Sequence, residues 1–131
     1  MNKYKDVFVV DDDKIYHFIF KNLLHKLGIN VKPSFFVNGL DALEGLRQRL
    51  EQGNFPDLIL LDINMPIMNG WQFLDEFRKL KLAHDLHTNV YVITSSNDGT
   101  DISKAKEAAD EIVNYFLKPI DEKDIAKIFS Q

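Results

Sequence analysis

At 131 residues, 45% hydrophobic and 27% charged, the chain fits one globular domain over 1–131 and excludes a disordered or fibrous protein. Its formal charge of −4, with the basic residues scattered along the chain, argues against a nucleic-acid partner, and the absence of cysteine excludes disulfides and fits a cytoplasmic location. No apolar run reaches the roughly 20 residues of a membrane span or forms a signal-peptide core, so no membrane association is expected.

The first apolar run, VFVV at 7–10, is continuous rather than alternating, as suits a strand covered on both faces, and it runs straight into Asp11, Asp12 and Asp13. Ile15, Phe18, Ile19, Leu23 and Leu27 follow at helical spacing and predict a first helix with these residues on one apolar face. FFV at 35–37 predicts strand 2. Pro33 beside it marks an edge strand, where a missing N–H costs no ladder bond. Leu40, Leu43, Leu46 and Leu50 mark helix 2; LILL at 58–61 is strand 3, closed by Asp62 and a Met-Pro turn; Phe73, Leu74, Phe77 and Leu80 mark helix 3. VYVI at 90–93 predicts strand 4, followed by Thr94 and Ser95. The polar stretch 95–101 reads as a loop with Thr100 as a helix cap, and Ile102, Ala105, Ala109 and Ile112 mark helix 4. YFL at 115–117 predicts strand 5, ending in Lys118-Pro119, and Ile125, Ile128 and Phe129 mark a short helix 5.

The alternation predicts an α/β fold, a doubly wound (βα)5 parallel five-stranded sheet in the order 2-1-3-4-5, with its ligand crevice outside the carboxyl ends of the strands. Strands 1 and 3 are neighbours in that order, so Asp11, Asp12 and Asp62 should converge there, facing Lys118 and Thr94. Carboxylates crowded in this way must protonate or bind a cation, and Mg²⁺ suits oxygen ligands of this kind. Asp13, which opens helix 1, is expected to cap it rather than to bind metal. Each residue also has a plainer reading: acidic strand ends as solvated turns, Thr94 as a strand residue, Lys118 as a surface lysine. His84 and His87 could pair on zinc, but they lie in a polar connection, and a structural zinc there is not expected. His17 and His25 read as ordinary helix residues.

VVDDD, LLDINMPIMNGWQFL around Asp62, VITSS around Thr94 and YFLKP with Tyr115, Lys118 and Pro119 together resemble the receiver domain of two-component response regulators. The spacing is 50 residues from Asp12 to Asp62, 32 from Asp62 to Thr94 and 24 from Thr94 to Lys118, and the resemblance covers essentially the whole chain. It implies a stand-alone receiver with no output domain. Asp62 would accept a phosphoryl group from a phosphohistidine on a sensor histidine kinase or histidine phosphotransfer protein, with only self-catalysed phosphorylation and autodephosphorylation as chemistry. Asp12, Asp62 and the backbone carbonyl of Asn64 would hold Mg²⁺, with Asp11 acting through a bound water. Lys118 would pair with phosphoryl oxygens, Thr94 would hydrogen-bond to one of them, and the Lys118-Pro119 bond would be cis. Thr94 and Tyr115 would form a switch that reshapes the face of helix 4, strand 5 and helix 5, read by a downstream protein. Asn64 and Ser96 occupy positions that tune phosphoryl lifetime in the family.

Two other function classes compete. A flavodoxin-like cofactor binder would need a Ser/Thr/Gly-rich phosphate loop after strand 1, where DDDKIY repels phosphate unless metal is present. A phosphatase-type hydrolase would carry its nucleophilic aspartate after strand 1 rather than strand 3. A degenerate receiver used as a scaffold is the remaining alternative, disfavoured by the presence of every matching site residue.

Overall fold

The computed structural model describes residues 3–95, 101, 103, 104, 107 and 112–130. Its elements in chain order are β1 (Asp6–Val10), α1 (Lys14–Lys26), β2 (Lys32–Phe36), α2 (Gly39–Gln52), β3 (Leu58–Leu61), α3 (Gly70–His84), β4 (Asn89–Thr94), β5 (Asn114–Leu117) and α4 (Glu122–Phe129), the last being the fifth predicted helix. Between β4 and β5, Asp101, Ser103, Lys104 and Glu107 are helical. The cap expected at Thr100, the apolar positions Ile102, Ala105 and Ala109, and Ser96 lie outside the described residues. Ile112 is buried but stands just before β5, in no helix.

All five strands are parallel, in the order β2-β1-β3-β4-β5. The continuous apolar runs are explained by cover on both faces. Phe8, Val10, Ile59, Leu61, Val90 and Val92 point to the side packed by α2 and α3, while Val7, Val9, Leu58, Leu60, Tyr91 and Ile93 point to the side packed by α1 and α4. The central strands β1, β3 and β4 therefore bury almost every side chain, and the edge strands β2 and β5 do not.

Two predicted details shift. Strand 2 starts earlier than FFV and contains Pro33, paired with Val7; the parallel register with Asp6–Val10 fixes its span, and the edge position tolerates the proline. In α1 the buried residues are Tyr16, His17, Phe20 and Leu24, whereas Ile15, Phe18 and Ile19 are exposed. The predicted face is therefore wrong in the first half of the helix, where apolar residues stand on both sides, while Leu23 and Leu27 of that face do pack against the core. Tyr16, Phe20 and Leu24, each four residues apart, turn inward together.

Candidate functional site: an acidic crevice at the carboxyl ends of the strands

The residues after the strands are held by backbone bonds that carry the ladder one step past the strand ends. Asp11 N–H donates to the Phe36 carbonyl at 2.9 Å, Asp62 N–H to the Val10 carbonyl at 2.9 Å, and Lys118 N–H to the Thr94 carbonyl at 2.9 Å. Asp11, Asp62 and Lys118 thus sit on a rigid edge although they lie outside the strands. The Lys118-Pro119 bond is cis, as the resemblance implied.

A close approach of α3 shapes the floor behind Asp62. Gly70 N–H donates to the Ile63 carbonyl at 2.8 Å, and a Cβ on Gly70 would stand 2.4 Å from the Asp62 carbonyl oxygen. Only glycine fits there. Sequence reasoning missed this residue; the signal was the Asn69-Gly70 pair at the helix start, where Asn69 and Gln72 form a capping box.

Asp11 and Asp62 are buried, and Asp12 is exposed at the rim. Their carboxylate oxygens come within 4.8 Å of one another. Asp13 stands apart as the N-cap of α1, accepting from Ile15 N–H at 2.9 Å and Tyr16 N–H at 3.3 Å, as expected. Because Asp13 occupies these amides, the start of α1 cannot cradle a cofactor phosphate as a phosphate loop would.

Lys118 Nζ donates to Asp11 Oδ2 and lies 3.6 Å from Asp62 Oδ2. One ammonium therefore serves two buried carboxylates. Burial pushes the Asp11 carboxyl up to about 6; hydrogen bonds from Lys118 and from the Asp13 amide oppose this, and the Asp62 charge adds to it. Asp62 Oδ1 accepts from Ile63 N–H at 2.8 Å. A set of three carboxylates against one ammonium leaves excess negative charge, and all its donors are hard oxygens, so the residues fit a divalent cation such as Mg²⁺.

Thr94 is fully buried at the end of β4, next to β3 and its Asp62. Tyr115 is half-buried in β5 and packs on the α2–α3 side of the sheet. Asn64 is exposed, two residues beyond Asp62. Among the described residues the one cluster of three or more potential metal ligands is Asp11, Asp12 and Asp62, and it includes neither His84 nor His87.

The sequence profile of the response regulator receiver domain matches residues 7–130. The chain belongs to the receiver domain family of two-component signalling. Among its relatives, the Regulator of RpoS from Escherichia coli is 32% identical over 124 residues, covering 95% of this chain and 32% of that protein. The Sensor histidine kinase CheAY of Helicobacter pylori is 33% identical over 113 residues, 86% of this chain and 13% of that one. A two-component response regulator from Cytophaga hutchinsonii superposes with a TM-score of 0.83 at 28% identity, covering 96% of this chain and 94% of that chain. This receiver spans about a third or less of the length of the curated relatives it matches. No helix among the described residues is long and apolar enough to cross a membrane.

Proposed function

We propose that this receiver is a phosphorylation-activated switch in which Asp62 takes a phosphoryl group from a phosphohistidine and the resulting change is read by a protein partner. The observation that carries this reading is the setting of Asp62: buried, with Asp11 and Asp12 on hand and Lys118 at 3.6 Å. In the transfer an Asp62 carboxylate oxygen bonds to phosphorus as the P–N bond breaks, and the imidazole nitrogen leaves with the electron pair. Such a transfer has a loose transition state, so positioning and charge neutralisation are the main demands on the site. Lys118 meets phosphoryl oxygens as they arrive. Asp12, Asp62 and the Asn64 carbonyl, with Asp11 beside them, would hold Mg²⁺, which when bound neutralises the phosphoryl charge.

Histidine kinases among the relatives support a sensor kinase or phosphotransfer protein as donor. The exposed apolar residues Ile15, Phe18 and Ile19 on α1, the helix that begins beside Asp12 and Asp13, supply the surface on which such a donor would rest. For the outgoing signal, a phosphoryl oxygen draws the Thr94 hydroxyl toward Asp62, and Tyr115 takes the space released. The altered surface then includes β5, where Leu117 is exposed and Val113 is exposed just before the strand, together with α4 and the helical segment before β5.

Incubation with a phosphoramidate and Mg²⁺ followed by intact-mass measurement tests the reading. A gain of one phosphoryl group is expected, abolished by chelator and by Asp62→Asn. Equal gain with chelator present would overturn the role assigned to the metal, and equal gain in Asp62→Asn would overturn the acceptor.

A further inference from the structure

One aromatic residue at this site belongs to none of the roles above. Tyr16 lies in the first turn of α1, four residues beyond Asp12, with its backbone amide fixed by the Asp13 cap. Lys118 Nζ stands over its ring, 4.4 Å from the centroid. The same ammonium touches Asp11 and is 3.6 Å from Asp62, so the contact places an aromatic face directly against the charge that serves the phosphoacceptor.

The surroundings favour a strong contact. Lys118 is largely withdrawn from water, with its side chain 17% exposed, and a cation over an aromatic face gains most when both are desolvated. An ammonium has three N–H donors. Asp11 takes one, and Asp62 at 3.6 Å is beyond hydrogen-bond reach, so an electron-rich ring satisfies a donor that an aliphatic side chain would leave bare. Phe20 and His17 pack their rings at 6.2 Å and 6.4 Å from that of Tyr16, which limits its freedom to turn away.

The hydroxyl takes no part in this contact. Tyr16 is 8% exposed, and its hydroxyl oxygen is buried with no hydrogen-bond partner among the described residues. Burial, reinforced by the fields of Asp11 and Asp62, raises this phenol far above its ordinary range, so it stays neutral.

We infer that Tyr16 is a positioning residue of the phosphoacceptor site, its ring face holding the Lys118 ammonium beside Asp62. The inference rests on Asp62 being the acceptor. Tyr16→Leu removes the ring, while Tyr16→Phe keeps it and removes only the hydroxyl.

The experiment measures the rate of phosphorylation by a phosphoramidate with saturating Mg²⁺ in these two variants, in Lys118→Ala, and in the Tyr16→Leu/Lys118→Ala double variant. Tyr16→Leu is expected to be roughly threefold to thirtyfold slower, with Tyr16→Phe within about twofold of the parent. In the Lys118→Ala background Tyr16→Leu should cause no further loss, because nothing is left to position. An undiminished rate in Tyr16→Leu, an equal loss in Tyr16→Phe, or the same loss with and without Lys118 would overturn the inference.

A second readout separates this from failure of the acceptor assignment and needs no phosphoryl group. NMR of the Lys118 side-chain methylene next to Nζ should show an upfield ring-current shift in the parent and in Tyr16→Phe that disappears in Tyr16→Leu. A parent that takes no phosphoryl group but shows this shift would refute Asp62 as acceptor and leave the contact standing. An unshifted methylene in the parent would refute the contact itself.

Discussion

Burial outweighs the hydrogen bonds from Lys118 and Asp13 at Asp11 and pushes its carboxyl up to about 6. Its unfolded carboxyl titrates near 4. Between about pH 4 and about pH 6 the folded chain therefore binds more protons than the unfolded chain, and without metal this group makes the fold less stable as pH rises. Asp11→Asn should remove that slope and raise stability near neutral pH by about 1–2 kcal/mol, measured by urea unfolding in chelator. A variant less stable than the parent at neutral pH would contradict the balance described. By the same titration, Mg²⁺ affinity of the parent should weaken as pH falls through about 6. A second strained point is Ile67, a β-branched residue with φ of 70° at the centre of a turn closed by Met68 N–H to the Pro66 carbonyl at 2.7 Å. Its side chain is exposed and contributes little packing. Ile67→Gly should raise the denaturant midpoint by the equivalent of about 0.5–1 kcal/mol, and a lowered midpoint would show that Ile67 makes contacts that outweigh the strain.

At the scale of elements, α1 shows where the sequence was informative and where it was not. That 14–26 is helical was legible from its spacing, and that Asp13 caps it was legible from residue type. Which face packs was not, because Ile15, Ile19 and Phe18 are as apolar as Tyr16, Phe20 and Leu24, and only the sheet decides between them. Strand 2 was displaced for a related reason: Lys32, Pro33 and Ser34 carry no apolar signal, and their pairing comes from β1. Gly70 was unreadable as a contact because the close approach that demands it, to the Asp62 carbonyl, is tertiary. The acidic cluster, by contrast, was legible because strand ends and strand order together place Asp11, Asp12 and Asp62. The packing of α1 is checked by two substitutions. Phe20→Ala, at a fully buried position, should cost about 3–5 kcal/mol, and Phe18→Ala, at an exposed one, within about 0.5 kcal/mol. Equal costs would mean the helix is rotated from the phase described. If α1 also receives the donor, Phe18→Ala should slow transfer from a phosphorylated histidine protein while leaving the reaction with phosphoramidate unchanged.

Over the whole molecule, the sheet links Asp62, the proposed acceptor, to the distant face. Asp62 follows β3, Thr94 ends the adjacent β4, and Tyr115 lies in β5 opposite Val92 of β4, so two strand spacings separate the chemistry from the edge. Trp71 at the start of α3 ties the same region together through its indole N–H to Asp101 at 2.9 Å. Thr94→Ala should still take a phosphoryl group on Asp62 but lose most of the phosphorylation-dependent NMR shifts at Tyr115 and along β5 and α4. Undiminished shifts would place the coupling elsewhere than the Thr94 hydroxyl. All of this depends on a covalent acyl phosphate at one carboxyl among the crowded acidic residues of the crevice. The most direct measurement traps that bond: phosphorylate with phosphoramidate and Mg²⁺, reduce with borohydride, and locate the resulting homoserine by fragmentation mass spectrometry. The account predicts homoserine at position 62 alone, and homoserine at 11, 12 or 13 with aspartate intact at 62 would contradict it.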